Sequence, residues 1–208
     1  MIILTDNDAL FKLATYRLLG HLPDILGVTT SAIYVLDSLP YVALSKVERY
    51  GEEPVQRVLS FVEKTSKLGE CDVDEQLYDH LLNVKDIDPG EALLFAAGAE
   101  KRSARVITGD KRALRALCKV DHRSVLNSLC GCMICLEQMV YRLIVHDDFM
   151  VVRECISAAR DVDKVIQAIA FSRGPDTPED TAINALRSYT MNLRESTGQL
   201  LIDGEEWI

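Results

Sequence analysis

The chain lacks several signals, and each absence narrows what it can be. No apolar run reaches the ~18–20 residues of a membrane span. The opening residues, MIILTDND, carry neither a basic n-region nor a long apolar h-region, so no signal peptide is expected and the cytoplasm is the expected compartment. No repeat recurs at a period of ~20–50 residues, and no low-complexity tract interrupts the 208-residue chain. The four histidines, His21, His80, His122 and His146, share no ligand spacing. An overall positive charge is missing too. The net charge of −9 argues against broad electrostatic binding of nucleic acid.

What remains is ordinary globular material. Apolar residues make up 48% and charged residues 26%, with a mean hydropathy of +0.06, enough for a full core. The six cysteines, in a chain without an expected export signal, read as reduced thiols rather than a disulfide framework. "CGCMIC" (130–135) reads as a buried strand carrying sulfur rather than a zinc site, because no second C-x₂-C pairs with it. The charge is uneven. Lys101, Arg102, Arg105, Lys111, Arg112, Arg115, Lys119 and Arg123 are opposed only by Asp110 and Asp121, a local surplus of +6 that leaves the rest near −15.

Short apolar runs at 2–5, 25–30, 104–108 and 132–136 read as strands. Helical spacing fills the intervals: 9–19 with Asp8 as N-cap, 31–39, 41–51, 53–68, 74–82 and the segment opened by Asp88, Pro89 and Glu91. From 137 to about 170 the pattern is helical, and 181–195 forms a last helix before a polar tail that holds the single tryptophan, Trp207. Strands alternating with helices predict an α/β domain with a mostly parallel sheet over residues 1–140 and a helical extension over 141–208.

Acids stand where such a sheet binds ligands, outside the carboxyl ends of its strands. Asp6 ends the first run and Asp110 lies two residues past Thr108. Glu91 opens the helix before that strand, and Asp37 is read two helical turns after Thr30. Four carboxylates brought to one volume repel unless a divalent cation neutralises them. Oxygen ligands without histidine suit Mg²⁺ or Mn²⁺ rather than Zn²⁺. Such ions position water and stabilise a phosphodiester in flight. The basic stretch around Asp110 offers phosphate contacts at Lys111, Arg112 and Arg115. Plainer roles compete at each position: Asp110 and Glu91 as helix caps, Asp37 as a solvated helix residue.

These segments resemble a known family. "IILTDND" resembles the start of a PIN domain, a strand ending in Asp-x-Asn, with Asp6 in the first acidic slot and Asp8 where Asn is usual. "VTTSAIYVLDSL" is similar to its second segment, with Asp37 in the acidic slot. "DPGEALLFAAGAEK" is similar to its small-residue helix, with Glu91 in the third. "ARVITGDKRALRAL" is similar to its closing strand, Thr-x-Asp and helix, with Asp110 in the fourth. The family usually has Glu second and Asp third, the reverse of Asp37 and Glu91. The resemblance covers about the first 120 residues. It implies a three-layer α/β/α nuclease fold and a Mg²⁺- or Mn²⁺-dependent ribonuclease that usually acts on single-stranded RNA and leaves 5′-phosphate and 3′-hydroxyl ends. It also implies a frequent homodimer and, in many relatives, the toxin half of a toxin–antitoxin pair.

Two rival readings remain. In a haloacid-dehalogenase-like phosphatase, Asp6 and Asp8 would be nucleophile and general acid and Thr108 the strand-end hydroxyl; that reading needs an acidic pair such as Asp147–Asp148 at a strand end. In a non-catalytic PIN-like scaffold, the same surface would bind RNA or protein without cleaving.

Overall fold

The computed structural model describes residues 1–101 and 103–204, so Arg102 and Trp207 lie outside the described residues. In chain order the elements are β1 (Ile2–Thr5), α1 (Asn7–Thr15), α2 (Leu22–Leu26), β2 (Ile33–Leu36), α3 (Leu39–Ala43), α4 (Val47–Tyr50), α5 (Glu52–Val62) and β3 (Ser66–Leu68). There follow α6 (Glu75–Leu82), α7 (Pro89–Glu100), β4 (Ala104–Thr108), α8 (Lys111–Leu117), α9 (Arg123–Leu129) and β5 (Met133–Cys135). The chain then continues through α10 (Leu136–His146), α11 (Phe149–Ala158), α12 (Lys164–Ile169) and α13 (Glu179–Ser196).

The five strands form one parallel sheet in the order β3-β2-β1-β4-β5. Parallel neighbours need long crossovers, and helices fill them here. Each strand sends alternate residues to opposite faces, and both faces are covered. Ile3, Ile33, Val35, Ile107 and Ile134 meet α1, α5 and α10 on one side. Leu4, Leu36, Val106, Met133 and Cys135 meet α7, α8 and α9 on the other. The result is the expected three-layer α/β/α arrangement.

The helix α7 is buried almost all round, from Glu91 to Gly98. Small residues let it lie close to the sheet. A side-chain carbon at Gly98 would stand 2.7 Å from Val106 Cγ2 and 3.1 Å from Leu129 Cδ2. At its other end, the same atom at Gly90 would stand 2.8 Å from Leu36 Cδ1, so glycine allows the start of α7 to approach the end of β2.

The later helices are not laid on from outside. Leu136, Val140, Val152, Ile156, Ile166, Phe171 and Leu186 belong to the same cluster as Ile3, Leu10 and Phe11 of the first segment. The tail also runs along the β5 edge. Met133 donates its N–H to Leu200 O at 3.0 Å, and Ile202 donates to Met133 O at 2.8 Å, which covers that edge.

Several elements differ from expectation. Residues 25–30 are no strand: Leu26 ends α2, and Gly27 caps it with φ +62°. The second strand is IYVL, 33–36, read from sequence as helix. A third strand, Ser66–Leu68, lies where a helix was expected to run on to 68; α5 stops at Val62. The long helical pattern after 137 breaks into three helices, at Asp147–Asp148 and before Asp163. Among the described residues no helix is long and apolar enough to cross a membrane.

Candidate metal centre

The strand order turns back at β1. From there β2 and β3 extend one way, while β4 and β5 extend the other. Such a switch point opens a crevice between the loops after the two central strands. Asp6 directly follows β1, and Gly109–Asp110 follow β4.

Asp6 is the N-cap of α1, accepting from the Asp8 N–H at 3.2 Å. The expected cap, Asp8, lies inside the first turn instead. Asp6 also accepts from the Gly109 N–H at 3.4 Å, a bond across the switch point. Burial, with the nearby Asp8 charge adding to it, raises the Asp6 carboxyl to about 6.

Glu91 enters from α7. Asp88 accepts from the Glu91 N–H at 2.8 Å, and Glu91 Oε2 accepts from the Asp88 N–H at 2.9 Å. This is the expected capping box, and it fixes both carboxyls at the mouth of the crevice. Burial raises Glu91 to about 8, with the charges of Asp88, Asp110 and Asp6 pushing the same way. Asp6 and Asp110, from distant segments, and Asp88, from the same helix end, therefore act electrostatically on one buried carboxyl.

Asp110 caps α8, accepting from the N–H groups of Arg112 at 2.6 Å and Ala113 at 3.1 Å. Arg112 Nη2 lies 3.2 Å from its other oxygen. Burial pushes this carboxyl up, but the Arg112 side chain and the two backbone N–H groups outweigh it, and it is held below the usual range. Asp37 follows β2 and so reaches the same sheet edge, though not from a helix. It is exposed and stands over Gly69, where a side-chain carbon would come within 2.8 Å of its Oδ2. The charges of Asp6, Asp88 and Asp110 thus bear on Glu91, while Asp37 stands over Gly69, just past β3.

A second charged network lies under Asp8. Lys12 Nζ is 2.7 Å from Asp8 Oδ2 and 2.7 Å from Asp163 Oδ2. Asp163 caps α12 through the Val165 and Ile166 N–H groups, so this ammonium ties the crevice to the later helices. Burial lowers the Lys12 pKa, but Asp8 and Asp163 reverse that, and it stays above its ordinary value. The Tyr50 hydroxyl donates to Asp8 Oδ1 at 2.6 Å, and Phe11 stacks on Tyr50 at 5.1 Å.

The expected phosphate contacts fare unevenly. Lys111 is turned inward, its ammonium 2.8 Å from Glu137, whose side chain is wholly buried. Arg112 is occupied by Asp110. Only Arg115 of the three is an exposed cation with no such ion pair among the described residues. The phosphatase arrangement is not formed either. Helix α10 starts where β5 ends and runs back from that edge, so Asp147 lies at its far end, 3.0 Å from His21.

The donors are carboxylate oxygens, the type that Mg²⁺ or Mn²⁺ takes. Their side chains stand wider than one ion's shell: among the described residues no three His, Cys, Asp or Glu groups are close enough to share a metal. No family model, curated protein or solved structure matches the chain.

Proposed function

We propose that this chain is a divalent-metal-dependent ribonuclease of PIN type. One observation carries the reading. Asp6 and Asp110 flank the switch point of a parallel sheet, and with Asp88 they bear on the buried Glu91. A structural helix cap gains nothing from being crowded in this way; a cation site does.

Asp6, Glu91 and Asp110 would hold Mg²⁺ or Mn²⁺, with Asp88 beside them. The bound ion supplies Lewis-acid polarisation of a water and of the phosphoryl oxygens. The chain's own residues set the stage for it. Glu91 keeps its proton at neutral pH in the free protein, and Oε2 is engaged by the Asp88 N–H, so Oε1 is the atom that holds and releases it. Asp6, at about 6, is largely ionised at pH 7 and provides the fixed negative charge. The Gly109 N–H keeps its carboxylate turned toward β4. Lys12 pairs with Asp8, whose charge still bears on Asp6.

A non-catalytic scaffold is the second reading, favoured by Asp110 being spent on Arg112 and its helix cap. Incubation of a single-stranded RNA pool with Mn²⁺ separates the two. The ribonuclease reading expects cleavage by the wild type and none by Asp6→Asn. Equal product from both proteins, or none from either, overturns it.

A further inference from the structure

We propose that single-stranded RNA enters this site over the α3–α4 segment, with Lys46 and Arg49 as phosphate contacts and Tyr41 as a stacking platform. The inference rests on the ribonuclease reading and specifies the path its substrate takes.

A cavity of about 330 Å³ opens beside the acids. Asp6, Asp8, Asp88, Lys46, Arg49 and Tyr50 are among the residues that line it. Lys46 and Arg49 are three residues apart in a helical segment, so both project from one face. Lys46 has no ion-pair partner among the described residues. Arg49 is held in place: its guanidinium lies 4.8 Å from the Tyr50 ring centroid and 3.5 Å from Asp8, while 62% of the side chain stays exposed. A guanidinium has five N–H donors, so one contact to Asp8 leaves others for a phosphate. One turn earlier, Tyr41 is 85% exposed, next to Val42, which lines the same cavity.

Cations beside a recessed acidic centre, with an open aromatic face next to them, match an RNA strand in register. The phosphates lie on the cations, a base lies on the ring, and the scissile link reaches the acids. A duplex keeps its bases stacked, so none could lie on Tyr41. In the basic stretch at 101–123, Lys111 is buried against Glu137 and Arg112 is bound to Asp110, so neither is open to a phosphate.

The test is fluorescence anisotropy with a short labelled oligouridylate in EDTA, where turnover is blocked, at low and at physiological salt. Lys46→Glu is expected to weaken binding about tenfold and to flatten the salt dependence by about one phosphate contact. Tyr41→Ala is expected to weaken it about tenfold with an unchanged salt slope, and Arg115→Glu to leave it alone. Melting curves confirm that these surface variants are folded. Unchanged affinity in Lys46→Glu and Tyr41→Ala overturns the proposal, as does loss in Arg115→Glu or tighter binding of duplex than single strand. A change in oligomeric state in Tyr41→Ala without a change in RNA affinity makes the patch a protein interface, and overturns it equally. Binding that needs Lys46 without any cleavage in Mn²⁺ sinks the ribonuclease reading alone. Asp6-dependent cleavage with Lys46→Glu binding normally sinks the path alone.

Discussion

Glu91→Gln isolates the strain in the acidic cluster. Glutamine keeps the capping box, since its carbonyl still accepts from the Asp88 N–H, and it removes the titrating proton. The wild-type carboxyl moves from 4.5 in the unfolded chain to about 8 in the fold. The native state therefore binds the proton more tightly. The stability this proton contributes is present in full below pH 4.5, falls as pH rises, and is gone above pH 8. At ~1.4 kcal/mol per tenfold change, wild type loses on the order of 4 kcal/mol between about pH 5 and pH 8.5 from this group. The neutral glutamine loses none of it. Urea unfolding in EDTA at both pH values gives the comparison. Glu91→Gln should be near wild type at the acidic end and more stable by several kcal/mol at the alkaline end. A stability difference that does not change with pH would refute the burial and crowding assigned to Glu91.

Three further outcomes follow from buried contacts. Lys12→Met strands Asp163 and Asp8 and should cost roughly 3–5 kcal/mol, and adding Asp163→Asn should recover part of it, as read by denaturant midpoints. Lys111→Met should cost a similar ~3–5 kcal/mol by leaving Glu137 buried and unpaired; Lys111→Met with Glu137→Leu should restore most of that, which a phosphate-binding Lys111 would not predict. Gly98→Ala should cost roughly 1–3 kcal/mol, seen as a lower Tm, because the added carbon meets Val106 at 2.7 Å.

Where the sequence was legible, a local signal sufficed. IILT and ARVIT are strands with the bounds their apolar runs suggest, and Asp88-Pro89-x-Glu91 forms the capping box its spacing implies. β2 was misread because IYVL is buried on both faces and shows no alternation, while β-branched ILGVTT imitates a strand although Pro23 and Gly27 bracket a helix there. β3 has three residues and one buried position, too little for a pattern to register. At the site, Asp6 and Asp110 were legible because a strand end precedes each. Asp37 was read inside a helix, whereas it directly follows β2. Asp88 was visible only as a cap, though its place three residues before Glu91 puts both acids at one helix end. Nothing local links Lys12 to Asp163, 151 residues on; only the packing of the later helices against α1 brings them together.

A Mn²⁺ titration followed by thermal melting, run on wild type, Asp6→Asn, Glu91→Gln and Asp37→Asn, tests the central claim most directly. A cation held by Asp6 and Glu91 should raise the wild-type Tm by roughly 5–10 °C at a hundredfold excess over its Kd. Asp37→Asn should keep that rise, and Asp6→Asn and Glu91→Gln should lose it. No rise in wild type, or the same rise in Asp6→Asn, would contradict the account.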